Sequence, residues 1–121
     1  MSEQAIKKIL ITGANGFIGG SLMRYYQNQG QDVVGVDLIG NGDDIVEGDI
    51  SQPDSISQLL TESDVIIHTA ALVSNAMQDS DMWRVNVLAT RNLIQAAKEH
   101  KVRRLYKFHQ SLLMEIQQRV S

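Results

Sequence analysis

The chain has 121 residues, 43% of them hydrophobic, with a formal net charge of -3, a sequence pI near 5.5 and no cysteine. That is enough for one domain with a core and short for a complete enzyme. The acidic balance, with no basic stripe beyond Arg103 and Arg104, excludes a dedicated nucleic-acid binder, and the missing thiols exclude disulfides and thiolate metal sites.

The first element is a strand over residues 7 to 12, where Ile9, Leu10 and Ile11 form the short apolar run of a central parallel strand. Gly13, Gly16 and Gly19 follow at once with the spacing G-x-x-G-x-x-G. Gly13 permits a tight turn off the strand, Gly16 lets a phosphate approach the backbone, and Gly19 lets the next helix pack on the sheet. The helix spans residues 17 to 29 with Phe17, Ile18, Leu22, Tyr25 and Tyr26 at helical spacings, and Gly30 sits at its C′ position. Its N-terminus has unpaired N–H groups and the positive end of the helix dipole, which together suit a dinucleotide pyrophosphate.

A second strand over residues 32 to 37 closes on Asp37, and the polar turn Asn41-Gly42-Asp43-Asp44 precedes a brief third strand at residues 45 to 47. Asp37 lies 18 residues after Gly19, close to the ~20-residue interval of a ribose-binding acid. Its carboxylate can accept from both adenosine ribose hydroxyls. A 2′-phosphate there would meet like charge, with no Arg at Leu38, Ile39 or Gly40, so NAD is preferred over NADP. The other reading is a loop acid that opens a turn.

Pro53 suits the N1 position of a helix capped by Gln52 or Ser51, with Ile56, Leu59 and Leu60 facing inward. Asp64 opens a fourth strand, Val65-Ile66-Ile67, which ends at His68-Thr69-Ala70-Ala71. A long helix follows over residues 80 to 99 with Trp83, Val87, Leu88, Leu93, Ile94 and Ala97 on its periodic positions, and Val102 to Tyr106 starts a fifth strand. Alternating strands and helices predict a doubly wound parallel α/β sheet, the Rossmann arrangement, with strand order 3-2-1-4-5, truncated after strand five. No repeat or linker divides it. His68, His100 and His109 lack metal-site spacing, and no metal is expected. His68, ending a buried strand, reads as a satisfied core side chain. The first eight residues carry no apolar leader and no run approaches the ~20 residues of a membrane span, so a soluble, cytoplasmic chain with no membrane or nucleic-acid partner is expected.

Five segments in this order, Thr12-Gly13-x-x-Gly16-x-x-Gly19, Asp37, Gly48-Asp49-Ile50, His68-x-Ala70-Ala71 and Asn86-Val87-x-x-Thr90-x-Asn92-Leu93, resemble the extended short-chain dehydrogenase/reductases, in particular their NAD-dependent epimerase/dehydratase group. The resemblance covers residues 7 to about 105 and implies NAD as cofactor. It implies a binding set of Thr12, Gly13, Asn15, Gly16, Phe17, Ile18, Gly19, Asp37, Asp49, Ile50, Thr69, Ala70, Ala71 and Asn86. In it Asp49 meets the adenine amino group and the Ile50 backbone the ring. Ala70 and Ala71 bring backbone to the ribose and diphosphate, and Asn86 braces strand four. Two alternatives stay open: Asp49 also reads as the start of the turn before Ser51, and Asn86 as a polar group satisfying a neighbouring backbone.

Family chemistry uses a Ser after strand five and a Tyr-x-x-x-Lys pair. Here Tyr25, Tyr26 and Tyr106 have Gln29, Gly30 and Gln110 at the fourth position after them, so no catalytic residue is assigned. The expected division is a dinucleotide-binding domain over residues 1 to 105 and an atypical tail over 106 to 121. Shifting the reading of the Lys107 to Gln117 codons by two nucleotides permits the family's V-S-S-x-x-V-Y-G-D-P in register, with the glycine forced by Met114-Glu115. This suggests a frame-shifted end to a truncated reductase. Leu112, Leu113, Met114, Ile116 and Val120 give the tail the pattern of an accidental helix. The functional expectation is the NAD-binding portion of an extended short-chain epimerase, dehydratase or reductase, inactive alone; the alternative is a non-catalytic NAD-binding regulatory or interaction module. Substrate and oligomer partner are not specified by these residues.

Overall fold

A computed structural model of the protein describes residues 6–69, 80–109 and 114–119, with side chains described over 6–69 and 87–108. Strand β1 (Ile9–Thr12) leads through the glycine turn into helix α1 (Phe17–Asn28), and β2 (Val33–Asp37) and β3 (Ile45–Glu47) follow. A 3-10 turn at Pro53–Ile56 runs into the short helix α2 (Ser57–Glu62). Strand β4 (Val65–Thr69), the long helix α3 (Ser80–Glu99), β5 (Arg104–His109) and β6 (Met114–Arg119) complete the order.

The sheet order is β3-β2-β1-β4-β5-β6. The first five strands are parallel in the expected 3-2-1-4-5 arrangement, with Ile9 level with both Val33 and Val65, and Thr12 level with both Val36 and His68. All four residues of β1 are buried, as a central strand covered on both faces requires. Alternation then divides its side chains between two layers. Leu10, Val36, Ile66 and Leu105 face Leu60 and the α3 residues Leu93, Ala96 and Ala97. Ile9, Ile11, Val65 and Ile67 face Met23 of α1.

The ends of the elements have local causes. Gly30 has φ +77, and the Gln31 and Gly30 amides donate to Tyr26 O at 3.0 Å and Gln27 O at 3.1 Å, a Schellman closure of α1. The same pattern ends α3, where Val102 N donates to Ala97 O and Lys101 takes the left-handed position at φ 62 without being glycine. Asp64 does more than open β4: its carboxylate accepts from the Lys7 and Lys8 amides at 2.6 and 3.2 Å and so fixes the entry to β1. Pro53 takes the first position after Gln52, and Gln52 makes no side-chain cap.

The tail departs from expectation. Residues 114–119 form a strand instead of the accidental helix, pairing antiparallel with β5 from Arg104↔Arg119 to His109↔Met114. Helix propensity is a weak preference, and the free edge of β5 offers six residues a full ladder of backbone partners. Strand β5 itself begins at Arg104, two residues later than the sequence pattern indicates, because Val102 is already used in closing α3.

Candidate functional site at the carboxyl edge of the sheet

The carboxyl ends of β1, β2 and β4 meet at the glycine turn, the place where ligands bind in open parallel sheets. Gly13 has φ +68, and a Cβ there would overlap the Thr69 hydroxyl and carbonyl oxygens. A Cβ on Gly19 would strike the Gly13 carbonyl oxygen, so close turn-to-helix packing requires this glycine. Gly16 differs. Its φ of -74 and ψ of 172 suit any residue, and an added Cβ meets within the protein only Gly13 O, at 3.3 Å.

Gly16 is the N-cap of α1, which has no side-chain cap and no acidic residue in its first turn. Its end therefore presents N–H donors and positive dipole with no protein anion set against them in that turn. Phe17 stands beside it, 86% exposed, and Gly19 is buried against the turn. The half-buried Ile18 lies between them on the first turn.

Asp37 reaches this turn from the end of β2. Its Oδ2 accepts from the Asn15 amide at 2.9 Å and its Oδ1 from its neighbour Leu38 N at 2.8 Å. The Asn15 side chain donates to Ile39 O at 2.8 Å, tying the turn to the loop after β2. Leu38 and Ile39, 66% and 74% exposed, flank the acid with apolar surface and no cation.

The Gly48-Asp49-Ile50 segment lies beyond β3. Asp49 Oδ1 accepts from Ser51 N at 2.9 Å and Ser51 Oγ at 2.7 Å, so the turn-opening role is made in the structure. Ile50 packs on the α3-side core, and Asn92 Nδ2 donates to Ser51 O at 3.3 Å, bracing this loop from α3.

From β4, Thr69 Oγ1 donates to Thr12 O at 2.7 Å and approaches Gly13 O at 3.3 Å. Thr12 Oγ1 lies 2.6 Å from His68 Nδ1, and His68 Nε2 lies 3.0 Å from Thr90 Oγ1 of α3. His68 is the satisfied core residue expected. Burial, reinforced by the Lys107 charge on β5, lowers its pKa to about 4. Ala70 and Ala71 lie outside the described residues, as does the side chain of Asn86, whose backbone is within α3.

Beside the turn lies a cleft of about 450 Å³, lined by Ala14, Asn15, Gly16, Phe17, Arg24 and Asn41 among others. Asp37 and Asp49 lie outside its lining. Sequence reading missed this wall. Asn41 Oδ1 accepts from Asp43 N and Ile45 N, while Gln27 and Asn41 side chains donate to the Asp44 carboxylate at 2.5 and 2.7 Å and hold its pKa below the ordinary value. The Asn-Gly-Asp-Asp turn was the available signal; its partner Gln27 lies 17 residues away on α1. Among the described residues no group of three or more His, Asp or Glu side chains could hold a metal ion, and no helix is long and apolar enough to cross a membrane.

Comparison with known proteins gives a consistent picture. The model of the NAD dependent epimerase/dehydratase family matches residues 9–111. D-erythronate dehydrogenase of Haemophilus influenzae is 33% identical over 119 residues, covering 87% of this chain and 38% of the relative. A dTDP-glucose 4,6-dehydratase of Mycobacterium tuberculosis is 30% identical over 113 residues, with coverage of 79% and 34%. Among solved structures, a short-chain dehydrogenase/reductase superfamily protein from Agrobacterium tumefaciens with bound NAD has a TM-score of 0.71 at 33% identity, covering 83% of this chain and 31% of that one. The chain thus spans about a third of the length of these relatives.

Proposed function

The chain belongs to the NAD dependent epimerase/dehydratase family, and from that membership we propose that it is the NAD-binding portion of an extended short-chain epimerase, dehydratase or reductase. One observation carries the reading: the Asp37 carboxylate stands at the mouth of the glycine turn, bonded to the Asn15 amide, beside a helix N-terminus without a protein anion in its first turn. A carboxylate has about four acceptor positions. Two are used by the Asn15 and Leu38 amides, which leaves capacity for two ribose hydroxyls.

In this reading the pyrophosphate lies against Gly13, Gly16 and the first turn of α1, including Phe17, Ile18 and Gly19, because Gly16 keeps its outer side free of a Cβ. Thr12 and Thr69 hold the turn in shape from beneath. Asp49 and Ile50 form the adenine end. Asp49 Oδ1 is engaged by Ser51, so its contact with the adenine amino group is assigned to Oδ2. Ala70, Ala71 and Asn86 remain in the proposed set by family resemblance alone. When bound, the nicotinamide supplies hydride transfer.

The 121 residues contain no Tyr-x-x-x-Lys pair, and we infer no turnover by this chain on its own. That absence equally favours a second reading, a non-catalytic NAD-binding module acting through a partner. The frame-shift proposal for residues from about 106 onward bears on the choice and is tested by the nucleotide sequence of the locus: a Tyr-x-x-x-Lys in the alternative frame supports the interrupted enzyme, and its absence removes it. The assignment as a whole is tested by calorimetric titration with NAD and NADP. Tighter binding of NAD is expected; equal affinity for the two overturns the role given to Asp37.

A further inference from the structure

We propose that His68 is a positioning residue for the dinucleotide turn, a strut with a fixed tautomer: Nδ1 accepts from the Thr12 hydroxyl and Nε2–H donates to Thr90. The proposal deepens the NAD-binding reading above and rests on it for its ligand.

The geometry is a chain of contacts across three elements. Thr12 is the last residue of β1, His68 the second-last of β4, and Thr90 lies in α3; the two contacts of the imidazole measure 2.6 and 3.0 Å. The next residue, Thr69, points to the opposite face of the sheet and donates to Thr12 O. The end of β1 is thereby gripped twice by the end of β4, on its side chain from one face and on its carbonyl from the other. Gly13 begins the turn from that doubly held residue, and the Thr69 hydroxyl fills the space where its Cβ would be.

The tautomer follows from what each hydroxyl can do. A threonine inside a helix has the carbonyl one turn back as an acceptor for its proton, which frees its oxygen to accept. Thr90 is so placed in α3. Thr12, in an extended strand flanked by β2 and β4, has its own backbone groups in the sheet ladders, and its hydroxyl proton turns to the ring. A neutral ring donates from one nitrogen only. The site is 3% exposed, and burial with Lys107 across the ladder keeps the ring uncharged at neutral pH.

The test uses the 121-residue chain with Thr90→Val, which removes the hydroxyl at nearly constant volume, and Thr90→Ser, which restores it. NAD affinity is measured by calorimetry well below each variant's unfolding midpoint, and amide exchange is followed at Ala14 and Gly16, whose N–H groups bond Val36 O and Gly13 O. Thr90→Val should weaken NAD by at least about fivefold, the scale of one lost hydrogen bond. It should also speed exchange at both amides, with Thr90→Ser within about twofold of the starting protein on both readouts. Lower thermal stability with unchanged affinity and unchanged exchange overturns the strut and leaves a merely structural contact. Nitrogen-resolved spectra of the unaltered protein read the tautomer directly: a protonated Nδ1 also overturns it, even if Thr90→Val does not fold. If the unaltered protein shows no NAD affinity, the proposed function falls, while exchange and tautomer still decide the strut.

Discussion

The backbone amide of Asn15 donates to Asp37 Oδ2 at 2.9 Å, so the glycine turn after β1 and the acid at the end of β2 are one structure before any ligand arrives. The residues lie 22 positions apart and meet because β1 and β2 are parallel neighbours with Thr12 level with Val36. The Ala14 amide adds a second tie, donating to Val36 O at 3.3 Å. Turn and acid are therefore held in register by the ladder itself, and a ligand reaching both meets a preset spacing.

Replacing Asp37 by Ala removes two kinds of contact, the proposed bonds to ribose hydroxyls and the hold on the Asn15 amide. Hydrogen bonds to a charged group contribute about 1.5–3 kcal/mol, so NAD affinity should fall roughly 10- to 100-fold. NADP should be affected less, because the variant also removes the like charge facing its 2′-phosphate. Calorimetry with both nucleotides checks this; an NAD affinity unchanged by Asp37→Ala contradicts the ribose assignment.

The three glycines of the turn should separate stability from binding. Gly13→Ala forces a side chain into left-handed backbone, costing about 1–2 kcal/mol before its overlap with Thr69 is counted, and Gly19→Ala drives a methyl into the Gly13 carbonyl. Both should lower the unfolding midpoint in urea. Gly16→Ala meets only Gly13 O at 3.3 Å, so it should cost less than about 1 kcal/mol of stability yet weaken NAD at least tenfold. Urea titration paired with calorimetry distinguishes them, and equal losses of stability at positions 13 and 16 contradict the division.

Much of this was legible in the chain because its causes are local. The apolar runs at Ile9 to Ile11 and Val65 to Ile67 read as buried strands, and Gly13 and Gly30 mark turns through their freedom to take positive φ, Pro53 through its fixed φ. What was not legible depends on partners distant in sequence. Gln27 and Asp44 form a cleft wall because α1 and the β2–β3 loop face each other, and no periodicity announces that. Strand β6 exists through the open edge of β5, which overrides the helical pattern of Met114 to Val120. Asp49 carried two readings: the turn-opening one is made by Ser51 at Oδ1, and the adenine contact of the proposed function is assigned to Oδ2.

Lys101 offers a change in the opposite direction. It holds φ 62 at the end of α3, where Gly30 holds the equivalent place after α1. A side chain in this conformation costs roughly 1–2 kcal/mol, partly offset in glycine by its greater freedom in the unfolded chain. Lys101→Gly should therefore raise stability by about 0.5–1 kcal/mol, with Val102 N still donating to Ala97 O. Thermal unfolding reads the effect as a higher midpoint; a lower one means that the lysine side chain makes a compensating contact.

Acid should destabilise the protein through His68 in a defined window. Burial lowers its pKa from 6.5 to about 4, so between these values the unfolded chain binds a proton that the folded one does not, and stability rises with pH. The contribution is complete above about 6.5 and is lost as pH falls to about 4; it is on the order of 3 kcal/mol. Asp44 and Glu62, both with lowered pKa, act in the same direction but below their ordinary values of 3.8 and 4.5, which leaves the span from 4.5 to 6.5 to the histidine among these three groups. Urea unfolding at pH 5.0, 5.5, 6.0 and 6.5, on the order of half-unit steps across that span, should show the slope in the starting protein and its loss in His68→Gln, a neutral side chain of similar reach. A variant that keeps the full slope would assign the proton uptake to another group and remove His68 as its source.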